Sequence, residues 1–590
     1  MLEEKSIDRN QIVGFVLIAA ILFGMSFWAS ETQPAETKTQ ETTTDLAKDD
    51  AAQEAPAAPV SDAVPMLVEA SDSAALAPEN IVLENEVVKY TFTTAGAQLL
   101  EVQLKDYKRY NGEDLYLVQG RQSMTGAHQG IFVAVIAKGN DGSQSLTMTL
   151  GTTAWTYILG ASNAYGLNWS LDMDGAANVT LDWKQDGIRQ EKSLENEAQN
   201  TSTYFWDATD QSDDYLSDGR DDEESVTNIA WVAHKQQYFS SIFTSETPFS
   251  QAHLLTQTPA ITDTGFTRLF RSSLTLAGSN GGVHAKGLWY HGPNQYNLLK
   301  DYDQHFDEII PFGWGIFGWI SKGAVIPMFN LFDGFGWNYG LIIFLMALII
   351  KLALSPLTFS SYKSMAKMRV LKPELDEINE RHKDSDAAKK QQEVMSLYQK
   401  VGVNPLGGCI PQLLQFPILI AMFRFFPASI ELRQQSFLWA TDLSSYDSVF
   451  EFGQWFTIPF YGDHVSLFTI LMAISTYIYT KFNNSMTPQS GNSMMQQQMV
   501  IIQYLMPVML LVWFNNYASG LSFYYFVSNI LIFGQQWMIR RFFIDEESIH
   551  AKLMANKANG GKTSKLQQRM NDMMEAQKEG GNRRMRRQEK

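Results

Sequence analysis

The chain has 590 residues, with 46 Lys and Arg against 63 Asp and Glu and a formal net charge of -17. Its mean hydropathy of -0.17 averages two unlike halves: residues 30 to 310 are polar and acidic, whereas 311 to 540 are crowded with Phe, Trp, Leu, Ile and Met. Having one cysteine, Cys409, excludes an intrachain disulfide, and no Cys/His cluster has zinc-ligand spacing, so any extracytoplasmic domain must fold on its own apolar core.

Residues 11–29 (QIVGFVLIAAILFGMSFWA) come close to the ~20 apolar residues that cross a bilayer. Lys5 and Arg9 precede them and acidic sequence follows, which orients the N-terminus toward the cytoplasm. The run exceeds the usual signal-peptide core, and bulky Trp28 stands where a small residue would help cleavage, so 1–30 is expected to be an uncleaved signal-anchor helix. Residues 31–80 are Ala, Pro, Thr and acid. They cannot bury enough apolar surface to offset chain entropy and predict a disordered periplasmic tether.

From 81 the character changes to short runs, VVKYTFTT, AQLLEVQL, IFVAVIA, SLTMTL, LNWSLDMD and NVTLDW, separated by Gly, Asn and Asp. They predict an all-β sandwich at 81–305. Its acid cluster, 207–225, lacks the ligand spacing and Gly of an EF-hand loop and reads as a solvated loop. PFGWGIFGWISKG carries Trp314, Phe317 and Trp319. The segment 306–337 fits an interfacial amphipathic element, a loop packed under the β domain being the other reading.

Four further apolar spans follow, at 338–357, 406–427, 465–482 and 499–540. The last is too long for one helix, and NNYASG at 515–520 supplies a turn at which two spans pack as a hairpin. Six spans in all return the C-terminus to the cytoplasm. Basic residues from Lys363 to Lys400, and the tail 541–590 with Arg583, Arg584, Arg586 and Arg587, then fall on the N-terminal side. Within the core, 338–540, the stretch 358–405 reads as a cytoplasmic helical hairpin. Met365, Met368, Leu371, Leu375 and Ile378 keep helical spacing, HKDSD makes a turn, and Val394, Leu397 and Val401 resume it. Met365, Lys367, Met368 and Arg369 give a basic, Met-lined face suited to RNA-rich or apolar nascent partners, although a solvated connector has the same composition. The expected fold class is thus a polytopic α-helical membrane protein of six transmembrane helices, with an inserted all-β sandwich in the periplasm.

Lys351 stands inside the run NYGLIIFLMALIIKLALSPL. A charge at that depth costs about 2.5–3.5 kcal/mol on insertion scales, so it faces a bundle interior or wet cavity unless it snorkels to the interface. The topology puts it about two turns inside the cytoplasmic end of the span. Gln412 and Gln415 in the third span, and Ser528, Asn529, Gln535 and Gln536 in the sixth, put polar groups on apolar helices. Facing inward they hydrate a groove; facing one another they glue helices. Trp513, Phe523, Tyr524 and Tyr525 offer a face along which a substrate helix could leave, and suit bundle packing equally well. GGKTS at 560–564 has Asn556 in place of a phosphate loop's first Gly and no preceding strand, so no nucleotide site is expected.

SPLTFSSYKSMAKMRVLKPE, VNPLGGCIPQLLQFPI and the run MPVMLLVWF to YASGLSFYYFVSN resemble the YidC family of membrane-protein insertases, in its six-span Gram-negative form. The resemblance covers about 311–540, and the preceding β domain fits that form's periplasmic domain. It implies an insertase and folding chaperone of the bacterial inner membrane, without catalytic chemistry or cofactor. It also implies a hydrophilic groove open to cytoplasm and lipid but closed toward the periplasm. The family's groove holds a basic residue of the second span, usually Arg; here the matching Lys351 keeps the charge and loses the guanidinium fork. Implied partners are nascent membrane-protein substrates, the ribosome, Sec translocon components and lipids, with the protein working as a monomer and not on DNA. The basic tail suits either rRNA phosphate or anionic lipid. A small-solute transporter using Lys351 is the alternative, but no repeat relates the halves. A membrane-anchored carbohydrate-binding β domain would not need five further spans.

Overall fold

The computed structural model describes residues 77–558 except 127–129, 163, 280, 383–386, 404–409, 454–455, 460 and 487–492. The expected signal anchor, the tether up to 76, GGKTS at 560–564 and the tail arginines Arg583, Arg584, Arg586 and Arg587 lie outside the described residues, as does the side chain of Gln412.

Alternation of apolar and polar residues builds the sandwich. In Asn80–Glu84, Ile81 and Leu83 point inward and their neighbours outward. That strand opens a four-stranded antiparallel meander with Val88–Thr93, Gln98–Lys108 and Asp114–Gln119. A nine-stranded sheet runs in the order Ser212–Tyr215, Ser202–Asp207, Ile229–Lys235, Phe239–Phe249, Gly282–Pro293, Gly166–Asp174, Thr153–Leu159, Gln144–Leu150, Val133–Lys138. A five-stranded sheet of Asp222–Val226, Gln251–Gln257, Phe266–Ala277, Asn178–Ile188 and Gln122–Thr125 packs on it. Trp183 of that sheet stacks on His234 at 3.6 Å and meets Trp289 edge-on at 6.0 Å. From the meander, Phe92 packs on Tyr157 at 4.7 Å. The acid cluster departs from the expected solvated loop, because Ser212–Tyr215 and Asp222–Val226 are the outermost strands of their sheets. Carboxylates along an edge keep its free backbone groups from pairing with another chain.

The helices are α1 (Leu194–Gln199), α2 (Tyr296–Lys300), α3 (Gly315–Asp333), α4 (Tyr339–Ala353), α5 (Ser355–Val370), α6 (Lys372–Arg381), α7 (Ala387–Val401), α8 (Ile410–Ala428), α9 (Leu467–Met486), α10 (Ser493–Phe514), α11 (Ser519–Phe543) and α12 (Glu546–Ala558). Within the segment expected to be an interfacial amphipathic element or a loop under the β domain lies the 19-residue α3, long and apolar enough to cross a membrane by length and composition. A π turn at Ser321–Val325 ends two residues before Pro327, whose ring nitrogen cannot close an ordinary helical bond. The second expected span is not straight to 357. It ends at Ala353 and bends by 59° into α5, where Pro356 interrupts the hydrogen-bond ladder. The turn between α10 and α11 falls within NNYASG as expected. The two helices touch beside it through Phe514 and Tyr525 at 5.7 Å, but their shared packing partner is α9.

Two apolar cores result. The larger runs from Ile81 through the sandwich to Ile342, Phe425 and Val527 among the helices. The smaller gathers Met368, Leu371, Leu375, Ile378, Val394, Leu397 and Val401 with Leu553 of α12. The Met-lined face expected to meet partners is therefore turned inward: Met368 is buried, and Met365 packs against the same cluster. The Arg369–Glu546 ion pair at 2.9 Å and the His550 Nε2–Glu374 Oε1 hydrogen bond at 3.1 Å hold α12 in place.

Candidate functional site

α4 starts at Asn338, whose side chain accepts the Gly340 N–H at 2.9 Å. Its buried stripe is Ile343, Ala347 and Lys351, each one helical turn further on, while Leu341, Phe344, Ile349 and Leu352 are exposed. A helix of a water-soluble protein would show the reverse, charge outward and leucine inward. Lys351 is 6% exposed. Among the described residues no carboxylate lies within ion-pair distance of it and no hydrogen bond from it is formed. Its snorkelling alternative is thereby disfavoured, and the bend after Ala353 places it in the last turn of α4 rather than two turns inside a straight span.

α11 supplies most of the polar groups, and its register against α9 explains where they point. Thr469 Oγ1 lies 3.1 Å from Ser522 Oγ. Seven residues on in both helices, Asn529 Nδ2 donates to Thr476 Oγ1 at 3.0 Å, and to Ser475 Oγ at 3.0 Å. After a further seven, Gln536 Nε2 donates to Asn483 Oδ1 at 3.2 Å and to the Tyr362 hydroxyl of α5. The pairs advance together, so α9 and α11 run parallel with a seven-residue polar repeat between them. Of the two readings of these residues, Asn529 and Gln536 thus take the helix-gluing one through these contacts. Ser528, beside Asn529, is buried, and the Oε1 atoms of Gln535 and Gln536 are buried without a protein partner. Gln415 is half-buried. Buried acceptors without donors are sites that water fills where it has access.

The aromatic residues divide. Trp513 is exposed beside Phe423 at 5.8 Å. Phe523 is buried between Phe437 and Phe468, at 4.9 and 5.2 Å, and Tyr524 is buried on Phe426 at 5.7 Å. Of the two readings open for them, exit face or bundle packing, the burial of these two fits packing. Tyr525 is partly buried against the same core. On the hairpin, Lys367 is half-buried.

The loop between α8 and α9 covers one end of this bundle, a role that no residue pattern in 429–466 signals. Phe437 closes on Gly340, where a Cβ would come within 2.1 Å of its ring. Asp447 caps α9 by accepting the N–H groups of Leu467 and Phe468 at 2.9 and 3.1 Å. The N–H groups of Ser519 and Gly520 donate to the carbonyls of Ser445 and Leu443 at 2.7 and 2.9 Å. Asn515 donates to the carbonyls of Tyr461 and His464, both at 2.9 Å.

Apolar outer faces, an inward unpaired cation and an appended sandwich define an integral membrane protein with a polar-lined helical core. Residues 330–547 match the family described as 60Kd inner membrane protein, and 170–329 that described as YidC periplasmic domain. The membrane protein insertase YidC of Parabacteroides distasonis is 35% identical over 97% of this chain and 98% of its own length. That of Porphyromonas gingivalis is 34% identical over 97% and 98%. A crystal structure described as active YidC insertase with its first transmembrane domain resolved aligns with 82% of this chain and 96% of its own, at 18% identity and a TM-score of 0.32. The chain belongs to the YidC family of membrane protein insertases, and its sandwich is the periplasmic domain of that family.

Proposed function

We propose that the chain carries nascent transmembrane segments from the cytoplasm into the inner membrane along a hydrated groove in which Lys351 is the attracting charge. The observation that carries this reading is a buried Lys351 amine without a counter-ion among the described residues, on the inward face of a helix whose other face is apolar. A translocating segment must bring polar flanks through a medium that hydrogen-bonds nothing, and a wet half-channel shortens that path. Lys351 would hold acidic flanks in transit, with Ser528, Gln412 and Gln415 hydrating the path and Trp513 and Tyr525 along the way out to lipid. The process needs no bond-making chemistry in the protein.

The proposed organisation keeps a signal anchor at 1–30, a tether at 31–80, the sandwich at 81–305, the segment 306–337, the core at 338–540 with a cytoplasmic hairpin at 358–405, and a cytoplasmic tail at 541–590. Contacts of the capping loop with the periplasmic domain support setting that loop on the periplasmic side, and the packing of α12 on α5 and α7 supports a common cytoplasmic location for hairpin and tail. The tail would contact the ribosome, and the protein would act as a monomer, alone or beside the Sec translocon.

Lys351→Ala and Lys351→Arg, assayed for insertion in proteoliposomes, test the reading. Lys351→Ala should slow substrates with acidic translocated segments about tenfold, the worth of a hydrogen bond to a charged group. Lys351→Arg should be tolerated, and substrates with neutral segments should be little affected. Equal insertion of all substrates by Lys351→Ala would remove the role given to this residue.

A further inference from the structure

Arg433 leaves the capping loop and enters the periplasmic domain. Its side chain is 3% exposed, and its Nε donates to Glu191 Oε1 at 2.7 Å. Nη2 donates to the carbonyl of Lys108 at 2.7 Å and that of Gln190 at 3.4 Å, and the guanidinium lies over the Phe239 ring at 5.1 Å. The neighbouring Gln434 donates to the carbonyls of Lys108 and Arg109 at 3.0 and 3.1 Å. From the other side, Gln237 of the sandwich donates to the carbonyl of Pro427 at the end of α8, at 3.1 Å.

The sandwich presents its half of this contact rigidly. The carboxylate of Glu197, fully buried in α1, accepts the N–H groups of Gln190 and Glu191 at 3.0 Å each, and so fixes the turn that carries Glu191. A buried guanidinium with a carboxylate and carbonyl acceptors is an all-or-none contact, since deleting one partner strands the other away from water. The chain linking the domains, 294–314, would be enough for mere tethering; a buried ion pair between segments 242 residues apart fixes position as well.

We propose that Arg433 is a positioning residue through which the periplasmic sandwich braces the capping loop and keeps that end of the helix bundle closed. The loop holds the starts of α4, α9 and α11 by side-chain and backbone contacts, so a displacement of Arg433 is passed to all of them. The sandwich then has a mechanical duty toward the core, separate from any partner it recognises.

The test uses full-length protein carrying Arg433→Met and the double replacement Glu191→Met with Arg433→Met, because an apolar pair of similar volume replaces a buried ion pair with little loss. Amide exchange is read at Ser519 and Gly520, and proton leak in sealed proteoliposomes. Arg433→Met should raise exchange at both amides about tenfold or more and raise the leak, while the strands Asn178–Ile188 and Phe266–Ala277 exchange as before; the double replacement should reverse both changes. Unchanged exchange at Ser519 and Gly520 overturns the brace, as does an equal rise in the sandwich strands, which would mean general loosening. Raised exchange with an unchanged leak overturns closure. Should Arg433→Met fail to accumulate, Arg433→Lys, which keeps the charge but loses the fork, is read in the same way and should give a smaller rise. Lys351→Ala should leave the leak alone, which separates failure of the brace from failure of the groove.

Discussion

At the scale of single residues, burial decides what each charge does. Lys351 and Arg433 are both nearly inaccessible, but Arg433 has a carboxylate and carbonyl acceptors whereas Lys351 has neither among the described residues. Arg433 is thus held by its partners, and in the proposed groove Lys351 would stay available to a visitor. Glu197 shows a third outcome. Burial, reinforced by the nearby Glu191 carboxylate, outweighs its two backbone N–H donors and pushes its carboxyl up to about 8. Folding therefore holds a proton there that an unfolded chain releases near 4.5. The stabilisation is present at low pH and is lost as pH rises toward 8. Burial holds His291 down to about 3, so its opposing contribution is complete once the pH exceeds its ordinary value of 6.5. Between about pH 6.5 and 8 the unfolding free energy of the periplasmic sandwich should fall with pH, with a slope on the order of 1 kcal/mol per unit, and Glu197→Gln should flatten that slope. A slope unchanged in Glu197→Gln would reassign the proton. Lys351 was legible in the sequence because a charge in an apolar run is conspicuous. Arg433 was not: ELRQQS is an ordinary loop, and its partner Glu191 lies in another domain.

At the scale of elements, helix ends were readable where a residue type enforces them. Asn338 caps α4, and NNYASG breaks the last span where a turn was expected. The bend before Pro356 had its signal in the sequence too, yet the apolar run across it reads as one span. Which way a side chain points inside an all-apolar bundle was not readable, because periodicity has no contrast there; hence Phe523 and Tyr524 proved to be packing residues. The polar repeat between α9 and α11 yields a prediction at this scale. Asn529→Leu should cost about 0.6 kcal/mol, and at most about 1.7 kcal/mol, in a reversible detergent unfolding titration. The low figure is expected because the Ser475 hydroxyl already donates to the carbonyl of Met472 within its own helix. A loss of several kcal/mol would mean that the repeat holds the helices in register more strongly than cross-helix amides ordinarily do.

At the scale of the whole molecule, the division into sandwich and helical core was plain from composition, because a polar, β-patterned stretch precedes an apolar one. That the two share one continuous apolar core was not, since nothing in either stretch names the other. Deleting 81–290 should leave a core that still integrates a short phage-coat-like protein in proteoliposomes. Its proton leak should rise, because Arg433 loses Glu191 and the capping loop its brace. Loss of all insertion would move the function toward the sandwich. The two separate apolar cores also set how the molecule comes apart. The smaller cluster around Leu375 and Leu553 is not continuous with the core that joins sandwich and bundle, so its opening need not break that core. Parting of the hairpin from α12 would leave the apolar core of sandwich and bundle intact.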